Sequence, residues 1–250
     1  MTEVQIRNVN LRRDIRGKAG ETASISRNSI EIGTVYGTLL NYHGTLAALG
    51  DAVNEAPYKA PPKAPVLYIK PVNTVSGHHS PIPVPDGTDQ LEVGAALGLV
   101  IGKVATRVKE KDALDYVAGF TIVNDVSIPH TSFYRPAISQ KSRDGFCPIG
   151  PYIVEREAID NADALTVKVL VNGEVRQENT TANLVRSVAR LLEDVTDFMT
   201  LHPGDILLVG VPENPPLAKV GDLVRIEIDG IGYLENTLVN ESDIDGGVSR

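Results

Sequence analysis

Apolar and polar positions alternate over much of the chain. From Leu165 to Val171, Val167, Val169 and Val171 fall on one face and Thr166, Lys168 and Leu170 on the other, the period of a strand. Asn172-Gly173 follows, the dipeptide of a two-residue hairpin turn, with Val175-Arg176-Gln177 as the return strand. Leu223 to Ile228 repeats the pattern, with Val224, Ile226 and Ile228 opposite Arg225, Glu227 and Asp229. Val93 to Gly102 is apolar almost throughout, which predicts a strand buried on both faces. Shorter strands are predicted at Ile30 to Leu40, Val66 to Lys70, Phe120 to Val123 and Ile206 to Val209. Leu184, Val188, Leu191, Leu192, Val195 and Met199 share one helical face, so a helix is predicted over 184–199. Shorter helical stretches are expected at Thr45 to Val53 and Lys109 to Val117. The prolines of 56–65 and 81–86 predict extended connectors, the first a flap. Strands and helices do not alternate, so the expected class is a β-rich α+β fold with few short helices.

Composition narrows the function. At 250 residues one large or two small domains are open; 42% apolar and 22% charged residues are globular proportions. Residues 1–34 are expected to form an N-terminal arm or edge strand carrying Arg12, Arg13, Arg16 and Lys18. Residues 35–240 would form the domain, and the polar residues 241–250 a fraying tail. A formal charge of −8 without a basic run excludes ordinary nucleic-acid binding. One cysteine, Cys147, cannot form an internal disulfide, and no run of 18 apolar residues predicts a membrane span. No signal-peptide pattern opens the sequence, so a cytoplasmic setting is expected. Gly230-Ile231-Gly232 lacks the third glycine of a dinucleotide site and reads as a turn. His78 and His79, adjacent on an extended chain, would point to opposite faces and read as structural.

An ordered series of motifs is more specific. It runs through Leu97-Gly-Leu-Val-Ile-Gly-Lys103, Asp115-Tyr-Val-Ala-Gly-Phe120, Asn124-Asp125, Lys141-Ser-Arg-Asp-Gly145, Cys147-Pro-Ile-Gly-Pro151, Asn172-Gly-Glu-Val-Arg-Gln177, Leu201-His-Pro-Gly-Asp205, Val220-Gly-Asp222 and Gly230-Ile-Gly-Tyr-Leu-Glu-Asn236. In this order, over roughly residues 35–240, it resembles the fumarylacetoacetate hydrolase family. Pro57-Tyr-Lys-Ala-Pro-Pro-Lys63 and Phe133-Tyr-Arg-Pro-Ala-Ile138 are similar to the branch that decarboxylates and isomerises 2-oxo di- and tricarboxylic acids in 4-hydroxyphenylacetate (homoprotocatechuate) breakdown. Some members of that branch are tandems of two family domains, and this chain resembles the N-terminal unit. The resemblance implies a mixed β-roll, and Mg2+ or Mn2+ as the cofactor.

Decarboxylation and double-bond migration of such acids pass through an enolate, which a chelated divalent cation stabilises as a Lewis acid. The family holds that cation with Glu-x-Glu on a strand and the Asp of Asn-Asp. Here the two Glu positions are Gly94 and Ala96, and Asp125 alone remains as a metal ligand. Glu92 shares the strand face but lies about 7 Å further along, at roughly 3.3 Å per residue. The family's Arg-Asp after the metal Asp is Pro129-His130, and its Thr-Gly-Thr-Pro loop is Val209-Gly210-Val211-Pro212. The flap's proton-handling His and Glu fall near Thr45 and Ala48.

What the resemblance leaves is Asp125 and Lys141 as catalytic candidates and Tyr134, Arg135 and Gln177 as substrate-binding ones. Asp125 also suits a turn at a strand end, Lys141 a solvated ion pair, and Tyr134 and Arg135 an interface. The first expectation is a subunit of a decarboxylase/isomerase with an eroded metal centre. It would act on a 2-oxo dicarboxylate as a homodimer or beside a metal-bearing paralogous subunit, without nucleic acid or membrane. The alternatives are a self-sufficient Mg2+-dependent decarboxylase/isomerase or hydrolase using Asp125 and Lys141, and a non-catalytic ligand-binding or structural domain.

Overall fold

The structure is a computed structural model that describes residues 6–8, 31–130 and 137–245. In chain order the strands are β1 (Ile6–Asn8), β2 (Val35–Leu39), β3 (Val66–Lys70), β4 (Val75–Gly77), β5 (Ile82–Val84), β6 (Leu91–Glu92), β7 (Ala95–Ile101), β8 (Val117–Asn124), β9 (Cys147–Ile149), β10 (Tyr152–Glu155), β11 (Thr166–Val171), β12 (Glu174–Thr180), β13 (Ile206–Leu208), β14 (Leu217–Ala218), β15 (Leu223–Ile228) and β16 (Gly232–Asn240). The α-helices are α1 (His43–Leu49), α2 (Ile138–Lys141), α3 (Val188–Thr196) and α4 (Glu241–Asp245). The fold is mixed α+β, rich in strands, with short helices and a curled sheet.

The larger sheet runs β1-β10-β8-β7-β13-β2-β3, with β9 on β8 and β4 on β9. The second runs β12-β11-β15-β16-β5, and β14 pairs with β6. β13 is parallel to β2, β9 to β4 and β16 to β5, while the remaining pairs are antiparallel. The β7 strand is buried along its whole length. Leu97, Leu99 and Ile101 enter one core cluster, Ala96 and Val100 the other. Two-sided burial explains why its sequence lacks alternation. Each buried Leu or Ile contributes roughly 1.5–3 kcal/mol.

The hairpin forms as predicted, with Asn172 and Gly173 both at positive φ (53° and 83°) and Val169 of β11 opposite Gln177 of β12. The predicted helix 184–199 is shorter. Ser187 caps it, its Oγ accepting from Arg190 N–H at 3.1 Å, while Asp163 accepts from Val188 N–H at 2.7 Å. The 109–117 stretch is a 3-10 helix, Glu110–Tyr116. Within the expected tail, Glu241–Asp245 form α4, with the Asn240 amide donating to Asp243 at 2.9 Å, and residues 246–250 lie outside the described residues. The expected arm contributes β1, an edge strand on β10. Its Arg12, Arg13, Arg16 and Lys18 lie outside the described residues. Among the described residues no helix is long and apolar enough to cross a membrane.

Candidate active site

Two strands and a short helix place four polar side chains on one another. On β3, Tyr68 and Lys70 are two residues apart and share a face, while Ile69 between them is 54% exposed. Gly37, opposite Tyr68 on β2, provides room for the tyrosine ring: a Cβ there would stand 2.0 Å from Tyr68 Cζ. Pro71, which cannot continue the ladder, follows Lys70 directly. Asn124 ends β8, and its Oδ1 accepts from Gly94 N–H at 3.1 Å, while Asp125 N–H donates to Gly94 O at 2.8 Å. Lys141 is the last residue of α2.

Asp125 lies at the centre, 1% exposed. Lys70 Nζ stands 2.9 Å from its Oδ1 and Lys141 Nζ 2.8 Å from its Oδ2. The Tyr68 hydroxyl also donates to Oδ2. Lys70 Nζ donates hydrogen bonds to Val126 O at 3.2 Å and Lys141 O at 2.8 Å, beside its ion pair with Asp125. Lys141 Nζ lies 5.1 Å from the centre of the Tyr68 ring. The side chain of Lys70 is fully buried, and that of Lys141 is 12% exposed. Lys141 is thus the edge of the cluster that solvent reaches.

The electrostatics follow from that packing. Burial alone would raise the Asp125 carboxyl pKa, but the Lys141 and Lys70 ammonium groups and the hydrogen bonds to Lys141 and Tyr68 hold it well below the usual carboxylate range. Burial, then the Asp125 charge, drives Tyr68 well above 10.0. Burial lowers Lys70 against the pull of Asp125. Neighbouring Cys147 is pushed up to about 12 by burial and is an inert thiol. Half-buried Glu92 is raised by burial, with Lys141 opposing.

The structure therefore joins Asp125 and Lys141 from the predicted set and adds Tyr68 and Lys70, which sequence reasoning missed. The available signal was two polar side chains, i and i+2, inside an otherwise apolar five-residue strand. Gln177 is held elsewhere. Its amide donates to Glu213 O at 2.6 Å and Asn214 O at 3.2 Å, pinning the loop that follows β13. In that loop Val211 packs against the cluster containing Ala96, Val123 and Cys147, so the loop borders the site. Tyr134 and Arg135 lie outside the described residues.

At the two Glu positions of the family pattern, Gly94 and Ala96 offer no side-chain oxygen. A Cβ on Gly94 would fall 2.3 Å from Asp125 O, so the main chain itself has closed there. Among the described residues, no three His, Cys, Asp or Glu side chains converge where they would hold a metal ion. The expectation that His78 and His79 point apart is corrected. His79 takes φ 63°, and the two ring centres are 3.7 Å apart. His78 Nδ1 accepts from Glu235 N–H at 3.0 Å, which leaves the ring proton on Nε2 and makes this ring a structural acceptor.

A curled mixed sheet around a buried strand-end Asp, with a lysine brought to it by the next helix, defines a class with known counterparts. The family described as "Fumarylacetoacetate (FAA) hydrolase C-terminal" matches residues 34–239. The chain belongs to the fumarylacetoacetate hydrolase family. It is 46% identical over 212 residues to a 4-hydroxyphenylacetate degradation bifunctional isomerase/decarboxylase of Escherichia coli, covering 85% of this chain and 48% of that protein. The chain thus spans about half the length of the curated relatives it matches. A 5-carboxymethyl-2-hydroxymuconate delta-isomerase from Mycobacterium smegmatis superposes with TM-score 0.71 at 32% identity, over 85% of this chain and 80% of that one. A 2-hydroxyhepta-2,4-diene-1,7-dioate isomerase from Mycobacterium marinum gives 0.69 at 30% identity, over 85% and 76%.

Proposed function

We propose that this chain is a subunit of a decarboxylase/isomerase acting on 2-oxo di- and tricarboxylic acids in 4-hydroxyphenylacetate catabolism. In this reading a paralogous, metal-bearing subunit completes the assembly. The observation that carries it is the state of Asp125: both carboxylate oxygens are engaged by ammonium groups, at 2.9 and 2.8 Å. Mg2+ and Mn2+ require oxygen donors, and this donor set does not fit them. Gly94 and Ala96 supply none, and the single carboxylate is already neutralised. No reaction step through a cation is assigned to this chain. Its own residues do other work. Lys141 holds a positive charge at the solvent-reached edge of the cluster, Asp125 and Tyr68 orient that charge, and Gln177 fixes the bordering loop. The names of the relatives support the reading.

Calorimetric titration of the isolated chain with Mg2+ and Mn2+ is expected to show no specific site. CO2 release from a 2-oxo diacid is expected only after a metal-bearing family member is added. Micromolar cation binding by the isolated chain, or metal-dependent turnover lost in Asp125→Asn, would overturn the proposal in favour of a self-sufficient enzyme.

A further inference from the structure

We infer that Tyr42, Gln177 and Glu213 form a binding site for one small monovalent cation (K+, Na+ or ammonium), apart from the Asp125 cluster and independent of the reading above. Three segments supply it. Tyr42 stands immediately before α1, Gln177 lies on β12, and Glu213 is on the loop after β13. Each brings one buried polar atom that has no hydrogen-bond partner among the described residues: the Tyr42 hydroxyl, Gln177 Oε1 and Glu213 Oε2. Tyr42 is 0% exposed.

Contacts on their other sides fix these groups. The Gln177 amide nitrogen donates to Glu213 O at 2.6 Å and Asn214 O at 3.2 Å. A nitrogen held by two carbonyls cannot trade places with its oxygen, so Gln177 Oε1 is an acceptor left without a donor. Asn179 is locked in the same way. Its Oδ1 accepts from Thr180 N–H at 2.8 Å and from the Asn183 amide at 2.9 Å, so its nitrogen serves Glu213 Oε1 at 3.2 Å. The other carboxylate oxygen remains. Gly44 gives the carboxylate its place, since a Cβ there would stand 2.3 Å from both oxygens. Burial, then the Glu213 charge, pushes the Tyr42 hydroxyl above its ordinary value of 10.0, so the phenol stays neutral beside the carboxylate.

Two oxygens that can only accept, and one phenol, call for a positively charged guest. Water would answer the hydrogen bonds but leave the Glu213 charge, which has no counter-ion among the described residues. An unpaired charge costs more to bury than a neutral polar group. Glu213 carries one negative charge and its two companions carry none, so a single monovalent ion neutralises the site. A donor set made only of oxygen is the kind that hard cations take. The ion ties α1 and β12 to the loop that borders the Asp125 cluster.

The test uses the whole chain in tetramethylammonium chloride, whose cation is too large for this site. K+, Na+ or ammonium is then exchanged in at constant ionic strength. The thermal midpoint is expected to rise saturably with at least one of the three, by about 1–2 °C when that ion equals its dissociation constant. Equal midpoints in all four salts would show that water alone answers these oxygens and would overturn the inference. Glu213→Gln is expected to abolish the response. A response that persists in that variant arises elsewhere and overturns the inference as well.

Amide NMR of the unaltered chain covers the case in which a variant does not fold. The Gly44 and Glu213 signals are expected to move together with the effective ion and to stay still with tetramethylammonium. If they stay still with every ion, the inference fails. In the same readout Tyr42→Phe, which removes only the buried hydroxyl, is expected to bind about threefold to tenfold more weakly. Unchanged affinity would take that hydroxyl out of the site and overturn the assignment.

Discussion

Asp125 and Glu213 are carboxylates flanking the same region, and they are treated in opposite ways. Asp125 is sealed from water and has a counter-charge on each oxygen and a tyrosine hydroxyl besides. Glu213 is half-buried on the loop after β13, pressed on α1 at Gly44, where a Cβ would meet its Cδ at 2.1 Å. Only one of its oxygens is satisfied, by the Asn179 amide at 3.2 Å. Among the described residues its Oε2 has no hydrogen-bond partner, and neither do the nearby Tyr42 hydroxyl and Gln177 Oε1; Asp125 Oδ1 has none either, but it has the Lys70 ammonium at 2.9 Å as its counter-ion. The contrast shows what burial demands. A fully sealed carboxylate carries its counter-charges in the fold, whereas half-buried Glu213 keeps one exposed side and leaves a buried oxygen without a hydrogen bond.

The same carboxylate-to-amide exchange at both positions sharpens the contrast most. Asp125→Asn leaves two ammonium groups, one fully buried, without their anion, and should cost about 3–5 kcal/mol in urea unfolding. A loss under about 1 kcal/mol would show that the cluster is looser than its distances imply.

The next effect in size is alkaline. Cys147, beside the cluster, has a folded pKa of about 12 against 9.0 for a free thiol. A raised thiol pKa means that the unfolded chain releases its proton first. The stabilisation is therefore complete below pH 9 and disappears as pH climbs toward 12. Its slope is about 1.4 kcal/mol per pH unit. Urea midpoints measured across that window should fall less steeply in Cys147→Ala; parallel slopes would exclude the thiol as a source. Tyr68 acts in the same direction, above its ordinary value of 10.0.

The smallest effect belongs to the rim. Glu213→Gln keeps the shape, removes a charge that has no counter-ion among the described residues, and should shift stability by no more than about 0.5 kcal/mol. A loss comparable with that of Asp125→Asn would mean that Glu213 has a partner of equal strength and would dissolve the contrast.

Local pattern was enough for some elements and insufficient for others. The β11–β12 hairpin was legible because alternation and Asn172-Gly173 lie within one stretch of chain. β7 was legible because an unbroken apolar run can only be buried. β16, nine residues long, was announced by little more than Gly230 and Gly232, because its polar positions 235–237 interrupt the alternation. Asn236 is nonetheless buried, its amide donating to Gly77 O and Ser80 O at 2.8 Å each, contacts that no local signal records. The α3 helix began four residues later than its apolar face suggested, because Leu184 pairs with Tyr42 instead.

By itself the sequence determined the family, the strand-rich class, and the absence of side-chain oxygen at Gly94 and Ala96. These are matters of residue identity and order. Only the tertiary structure decided what became of the carboxylate left behind. Lys70 and Asp125 are far apart along the chain, and nothing within either stretch records the other. Their 2.9 Å contact exists because β3, β8 and α2 bring three distant segments to one point, where a buried negative charge must find a positive one.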